Sequence, residues 1–322
     1  MCSPIFMQKG GNMSNSSIFQ KKPFVVLFAT LSAVTWAFAF PLIKLGFNAF
    51  EIADGDTGAK TLFAGIRFFL AGLLTLVVAL AGRKDFSEVT KIKNTGWLCL
   101  YSVVNTSLHY FFFYIGLSNL SGSRSSIIDS LSTFLLIILA CIIFKSEHLT
   151  GKKIVGCVLG FAGILVINLS VDGSAVTDFS LGGDGMLFMS ALCSAFGGVL
   201  TRVVTQKVDS LVATGISLAF GGLIMIAGGV AMGGSIKTIT LSGIVILLLL
   251  VLVSTIGFSL YNKLISCNPV GEVAIFNSLI PVFGAILSCI ILGEEFYPKY
   301  ILATALVVAG VYIINRTGKA KS

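Results

Sequence analysis

The sequence predicts an all-α integral membrane protein, on the basis of its composition, the length of its apolar segments and an internal repeat. Of its 322 residues, 56% are hydrophobic and only 11% are charged. A soluble domain carries about 25% charged residues. Too few charged residues remain to cover a water-facing surface of this size, so the chain is predicted to lie in a membrane.

The apolar segments are long enough to cross a bilayer, whose hydrocarbon core of about 30 Å needs roughly 20 helical residues. They are uniformly apolar rather than alternating, which favours helices over the strands of a barrel. The loops between them are short, so no large domain outside the membrane is predicted. The ten predicted spans are 23–43, 62–82, 97–117, 125–144, 154–170, 185–204, 211–232, 243–262, 273–292 and 299–315.

The positions of Lys and Arg orient these spans. With the N-terminus in the cytoplasm, sixteen of the 22 basic residues fall on the cytoplasmic side, four fall outside, and Lys44 and Arg67 lie within or at the ends of spans. Such an excess marks the cytoplasmic side of a membrane protein. The pattern predicts a multi-pass protein of the cell membrane with both termini in the cytoplasm. It also accounts for the net charge of +8 without a nucleic-acid partner.

An internal repeat divides the chain into two halves. Residues 126–168 align with 273–315 without a gap, and this offset of 147 places Glu147 on Glu294. The first span also aligns with the sixth, and the second with the seventh. Because each half has five spans, the second half must enter the membrane from the opposite side. Such inverted repeats are typical of secondary transporters, which bind their substrate near the midplane between the halves.

The repeat predicts the organisation of the whole chain. Two five-helix repeats are joined by a linker on the outer side and flanked by cytoplasmic tails, of which the N-terminal one is predicted to be disordered. The predicted segments are the tail 1–22, the first repeat 23–170, the linker 171–184, the second repeat 185–316 and the tail 317–322.

The two halves share a pattern of motifs. In each half an apolar span runs into a Glu and is followed by a span with an Ala-Gly pair, at 162–163 and 309–310. The second span contains Arg67-Phe68. These motifs resemble the EamA-like branch of the drug/metabolite transporter superfamily, in which an Arg-Phe opens the second helix. The resemblance implies ten helices around a central cavity, alternating access, and substrates such as amino acids or other small metabolites, often exported.

Polar side chains within a bilayer are costly, so those inside the predicted spans are candidate site residues. Asn105, His109 and Phe113 share one face of the third span because they are four residues apart. His109 and Asp129 of the fourth span could bind a cationic or zwitterionic substrate or relay a proton. Alternatively, Asp129 is solvated or paired with Arg124 at the outer mouth, and His109 only forms a hydrogen bond between helices.

Two other features leave alternatives open. A stripe in the ninth span either supplies ligands or packs closely against another helix; its members are Asn277, Pro281, Gly284 and Ser288. Arg67 is predicted to have a structural role, with its long stem reaching toward the outer interface, where an acid could pair with it.

The predicted substrate site therefore draws on most of the spans. Its residues are Trp36, Asn105, His109, Tyr114, Asp129, Ser194, Tyr261 and Asn277. His109 and Asp129 are also the predicted proton-coupling residues. No cofactor or metal is predicted, since the seven cysteines show no ligand spacing.

Together these features predict a secondary active transporter, and the resemblance implies an exporter of a small metabolite such as an amino acid or of a drug-like compound. The chain shows no phosphate-binding loop, so the driving force is the substrate gradient, protons or a counter-solute. Its partners are the small-molecule substrate and the lipid bilayer, and it is predicted to be a monomer or a homodimer.

Three alternatives to this function remain. A sugar-phosphate or nucleotide-sugar exchanger of the same superfamily would need several inward-facing basic residues. An intramembrane enzyme would need a nucleophile with a base or paired carboxylates, and the sequence shows neither. A non-transport membrane protein is the third alternative.

Overall fold

A computed structural model describes residues 18–144, 150–168, 179–296 and 298–315. These residues form helices joined by short loops, and no strand occurs among them. The predicted tails 1–22 and 317–322 and the linker 171–184 lie wholly or largely outside this part of the chain, and so does Glu147.

Eight helical segments are long and apolar enough to cross a membrane, judged by length and composition. Two further apolar helices follow the fourth and the last of them. Every predicted span overlaps one of these helices, with ends that differ by a few residues. The helices are α1 (Lys22–Ala49), α2 (Thr57–Ala81), α3 (Ile92–Asn119), α4 (Gly122–Ile143), α5 (Gly151–Asn168), α6 (Leu181–Val204), α7 (Ser210–Ala231), α8 (Leu241–Cys267), α9 (Val270–Leu292) and α10 (Lys299–Asn315).

Short polar side chains fix where several helices begin. Asp56, Ser121, Asp209 and Thr240 each accept a hydrogen bond from a backbone amide in the first turn of α2, α4, α7 and α8. Such caps satisfy amides that have no partner within the helix. At the other end of α9, Gly293 adopts a left-handed conformation with φ of 67°, which a residue without a side chain adopts freely.

Helices α2 and α7 pack in antiparallel contact along their length. Glycines recur every seven residues on one face of each helix, at 58, 65 and 72 and at 215, 222 and 229. A Cβ atom added to Gly72 would lie 2.2 Å from the backbone nitrogen of Ala219, and one on Gly222 would lie 2.4 Å from that of Phe69. Small residues let helix backbones approach closely in a membrane, and here the approach leaves no room for any side chain.

The remaining helices also pack in pairs. Helix α5 contacts α10, where a Cβ atom on Gly310 would lie 2.4 Å from the carbonyl oxygen of Gly156. Helix α1 packs against α8, α6 packs against α3 and α4, and α9 packs against α4 and α1. These last six helices form a ring around the centre of the protein.

Besides α6, whose first turn at Leu181–Gly185 is π-helical, four helices of the ring are interrupted within their length. Helix α1 has a turn at Phe38, α3 contains a π-helical segment at Val103–Leu108, α4 is interrupted at Ser130, and α9 contains a 3-10 segment at Ile275–Ser278. Non-helical backbone at membrane depth is tolerated where it is buried in protein or lines a cavity. These breaks therefore indicate where the helices face an internal space.

Candidate functional site

The ring of helices encloses a cavity near the middle of the protein. Side chains from α1, α3, α4, α6, α8 and α9 line it, together with Arg67 from α2. It contains about 790 Å³ of empty space, with its mouth included. Within this space the centre of a water-sized sphere can occupy about 80 Å³, which is room for several waters or for a small ligand group.

The breaks in the four helices place polar groups on this cavity. Trp36 lies beside the turn at Phe38, Asn105 lies within the π-helical segment, and Asp129 precedes the break at Ser130. Asn277 belongs to the 3-10 segment of α9. Single π-turns are frequent at functional sites because they widen one turn and re-aim its side chains.

Seven of the eight residues predicted for the substrate site line this one cavity: Trp36, Asn105, His109, Asp129, Ser194, Tyr261 and Asn277. They come from six helices that are spread along most of the chain. The fold therefore brings them together, and their role in binding stays a prediction.

Tyr114, the eighth predicted residue, is buried but does not line the cavity. Its hydroxyl oxygen accepts a hydrogen bond from Nη1 of Arg67 at 2.9 Å. Tyr261 lies 147 residues further along and is therefore its counterpart in the repeat. Tyr261 does line the cavity, and its hydroxyl oxygen accepts a hydrogen bond from Nδ2 of Asn277 at 2.9 Å. The two tyrosines thus occupy different environments.

Three polar atoms at the cavity have no hydrogen-bond partner within the described part of the chain. They are Nε1 of Trp36, Oδ1 of Asp129 and Oδ1 of Asn277. Most buried polar atoms in proteins are hydrogen-bonded to protein or to ordered water. Atoms left unpaired around one cavity are positioned to bind a ligand or water.

Arg67 is a cavity residue that the sequence did not indicate. Its side chain is 1% exposed, and its Nε donates to Ser254 Oγ at 2.9 Å and to the carbonyl oxygen of Leu250 at 3.2 Å. No carboxylate lies within ion-pair distance of Arg67 among the described residues. The predicted reach toward an outer acid is therefore wrong, because neutral oxygens on α8 and α3 hold the guanidinium inside the protein.

The contacts of His109 and of Arg124 bear on the alternatives for His109 and Asp129. His109 Nδ1 lies 3.3 Å from the carbonyl oxygen of Asn105 in its own helix, and its ring packs on that of Tyr110 with centroids 4.2 Å apart. Arg124 pairs with Asp184, with Nη2 and Oδ1 2.7 Å apart. The geometry therefore supports neither a bond from His109 to another helix nor an ion pair between Arg124 and Asp129.

The residues of the stripe in α9 lie in two different environments. A Cβ atom on Gly284 would lie 2.7 Å from Cβ of Ser126, and Ser288 lies directly against Gly122. These two positions pack α9 against α4. Asn277, by contrast, faces the cavity.

A polar cluster borders the cavity where α3, α6, α7 and α8 meet. Asn262 Nδ2 donates to Tyr101 Oη at 3.0 Å and to Thr214 Oγ1 at 2.9 Å, and Thr201 Oγ1 donates to Tyr101 Oη at 3.2 Å. Asn262 and Thr201 also line the cavity. In the sequence, the one indication of this cluster was Asn262 at the end of a long apolar span.

Comparison with known proteins agrees with this architecture. The sequence model of the EamA-like transporter family matches residues 23–169 and 181–316. The Bacillus subtilis protein named uncharacterized transporter YvbV is 28% identical over 302 residues, which cover 92% of each chain. A Chlamydia muridarum protein named S-adenosylmethionine/S-adenosylhomocysteine transporter is 27% identical over 307 residues, or 91% of this chain and 92% of that one.

A solved structure shows the same fold. One protein of known crystal structure matches with a TM-score of 0.69, over 91% of this chain and 99% of its own. Its sequence is 16% identical, so the similarity concerns the fold alone.

Proposed function

Because the chain belongs to the EamA-like transporter family, we propose that it is a secondary active transporter that carries a small metabolite through the central cavity by alternating access. The observation that carries this proposal is the set of unpaired polar atoms of Trp36, Asp129 and Asn277 on one cavity. Leaving a buried polar atom unpaired costs about 1–3 kcal/mol. A ligand that supplies the missing partners recovers that free energy, and export is the direction that we propose.

The proposed architecture is ten membrane-spanning helices in two inverted repeats, 23–170 and 185–316. Two observations support it. The family model matches one segment in each half, and α2, α4 and α5 each pack against their counterparts α7, α9 and α10. Helix α1 of the first half packs on α8 of the second, and their counterparts α6 and α3 pack on each other in the same way. A two-fold relation between the halves requires such matching pairs.

The proposed orientation places both termini in the cytoplasm of the cell. Its support is the excess of Lys and Arg in the loops assigned to that side. This orientation puts the loop between α1 and α2 outside and the loop between α2 and α3 inside.

The proposed substrate is an amino acid or a related zwitterionic or cationic metabolite. Trp36 stands against Phe258 and Tyr261, with ring centroids 5.1 and 4.9 Å apart, and all three side chains line the cavity. Aromatic faces attract cations such as ammonium or sulfonium groups. S-Adenosylmethionine, named for the Chlamydia relative, is therefore among the candidates.

The alternatives find less support in the cavity. A sugar phosphate would need several cations, whereas Arg67 is the one Lys or Arg among the described lining residues. The relatives are named as transporters, which favours transport over an intramembrane reaction.

Flux through reconstituted protein tests the proposal. Purified protein in proteoliposomes is screened with radiolabelled amino acids, S-adenosylmethionine and cationic dyes. We expect saturable flux of at least one solute, reduced about tenfold or more by Asp129→Asn, which removes the negative charge, or by Asn277→Leu, which removes the amide. The control Asp85→Asn makes the same chemical change in an exposed loop and keeps the flux. No saturable flux, or flux indifferent to both cavity variants, contradicts the proposal.

The coupling ion is tested in the same vesicles. We propose that protons drive transport through Asp129 and His109. An imposed pH gradient then stimulates flux in the unmodified protein, whereas the flux that remains in Asp129→Asn and in His109→Ala no longer responds to the gradient. A gradient response that survives both substitutions would instead favour exchange against a counter-solute.

A further inference from the structure

We infer that the cavity recognises a zwitterionic head group, with Arg67 binding its carboxylate and Asp129 its cationic centre. This inference rests on the proposed function, since it names the substrate class of the same cavity. Three features carry it: an arginine held by neutral groups, an acid without a cation, and aromatic walls.

Arg67 is fixed in position but its charge is not neutralised. Nε and Nη1 donate to Ser254, to the carbonyl of Leu250 and to Tyr114, and all these acceptors are neutral. No acceptor within the described residues engages Nη2, although the side chain borders the cavity. A buried charge without a counter-charge is costly, and a guanidinium presents paired donors that match a carboxylate.

Asp129, on α4, is an acid at the same cavity, just as Arg67 is a base there. Its Oδ1 is buried and has no hydrogen-bond partner among the described residues. Arg124, the basic residue nearest to it in the sequence, donates both Nε and Nη2 to Asp184. Among the described residues Asp129 therefore has no cationic partner, and it is available to an ammonium or sulfonium group.

The two charges do not neutralise each other across the cavity. Among the described residues, no nitrogen of Arg67 comes within 4.0 Å of the Asp129 carboxylate. A ligand whose positive and negative centres are separated can satisfy both groups at once. A phosphate or a dicarboxylate would satisfy Arg67 but would bring like charge to Asp129, and a simple cation would leave Arg67 unpaired.

The aromatic lining accommodates the rest of the ligand. Trp36, Tyr110, Phe113, Phe258 and Tyr261 surround the same space. Their rings offer faces to a cation and apolar surface to a side chain. The cavity therefore suits an α-amino acid or an amino-acid conjugate with an apolar or aromatic substituent.

Binding can be measured inside the cavity itself. The chain has two tryptophans: Trp36 lines the cavity, and Trp97 is 38% exposed and lies outside it. In a Trp97→Phe background, quenching of Trp36 fluorescence reports ligands that enter the cavity. The probes are L-phenylalanine, L-methionine and S-adenosylmethionine, each with its decarboxylated analogue, together with 3-phenylpropanoate, which lacks the ammonium group.

The expected result is a preference that depends on both charges. Each zwitterion that binds should do so about tenfold or more tightly than its decarboxylated analogue, because the analogue leaves Arg67 unpaired. Arg67→Gln should reduce that preference to about threefold or less, and Arg67→Lys should restore part of it. Asp129→Asn should remove the preference for phenylalanine over 3-phenylpropanoate.

The matched control is Arg202→Gln. Arg202 is also an arginine held by carbonyl oxygens, those of Ile265 and Ser266, but it does not line the cavity, so this variant should keep the preference. If the Arg67 variants do not fold, the affinities of each zwitterion and its decarboxylated analogue are compared on protein that retains Arg67. That comparison still tests whether the cavity recognises the carboxylate.

Two results would overturn the inference: failure of all three zwitterions to bind, or equal affinity for zwitterions and decarboxylated analogues. Loss of flux in proteoliposomes with charge-selective binding intact would instead count against the proposed transport function. The two failures are therefore distinguishable.

Discussion

The carboxylate of Glu294 accepts a hydrogen bond from the backbone amide of Gly122 at 2.7 Å, which joins the end of α9 to the start of α4. Ser123 reinforces the contact, because its amide and its hydroxyl both donate to the second carboxylate oxygen, at 3.0 and 2.7 Å. An acid at the first turn of a helix satisfies amides that lack partners and interacts favourably with the helix dipole.

We therefore predict that Glu294→Ala destabilises the protein by about 2 kcal/mol, the usual effect of losing a charged helix cap. Thermal unfolding in detergent measures the change. Glu272→Ala removes an exposed acid from the start of α9 and should change stability by less than about 0.5 kcal/mol. Equal stability of the two variants would show that the Glu294 contact contributes nothing.

The contact between α2 and α7 gives a second prediction. Gly222→Ala places a Cβ atom 2.4 Å from the backbone nitrogen of Phe69, so the helices must separate, whereas Gly228 has no atom within 4 Å of its added Cβ. Gly222→Ala should cost about 1–3 kcal/mol from overpacking. Gly228→Ala should be neutral or slightly stabilising. Unfolding of the two variants under the same conditions compares them, and tolerance of Gly222→Ala would contradict the close contact.

The proposed orientation predicts which loops face the outside of the cell. In a variant whose native cysteines are replaced, Glu51→Cys lies between α1 and α2 and Ser87→Cys lies between α2 and α3. A membrane-impermeant maleimide applied to intact cells should label the first and leave the second unlabelled until lysis. The opposite result would reverse the orientation.

The positions of the cavity residues follow partly from the sequence. The four-residue spacing of Asn105, His109 and Phe113 placed them on one face, and all three line the cavity. The π-helical segment that carries Asn105 left no signal, because one widened turn does not alter the apolar pattern. The sequence also does not show where the helices break, so it could not predict that polar residues lie beside these breaks on one cavity.

Errors in the predicted ends of two spans concealed the positions of Arg67 and Asn262. Helix α2 begins at Thr57, not at residue 62, so Arg67 lies deeper than predicted and cannot reach the outer interface. Helix α8 continues to Cys267, so Asn262 lies inside it rather than at its end. The polar residues Thr57, Lys60 and Thr61 interrupt the apolar pattern at the start of α2, so the sequence did not place them in the helix. The length needed to cross a bilayer is only a minimum and does not predict a longer helix.

Tyr114 shows why the repeat could not assign every role. Tyr114 and Tyr261 are equivalent in the repeat, but the alignment of α2 with α7 places Ser217 opposite Arg67. Only the first half therefore has an arginine that donates to the tyrosine hydroxyl and holds it away from the cavity. A symmetric prediction fails where one half carries a charge that the other lacks.

Counterflow through a protein with a filled cavity tests the central claim most directly. Ser194 lines the cavity on α6, whereas Phe196 on the same helix is 47% exposed outside it. Proteoliposomes loaded with unlabelled substrate accumulate labelled substrate through unmodified protein and through Phe196→Trp. We predict that Ser194→Trp, which fills the cavity, lowers this accumulation about tenfold or more while eluting as folded protein. Undiminished counterflow through Ser194→Trp would show that the substrate does not pass through this cavity.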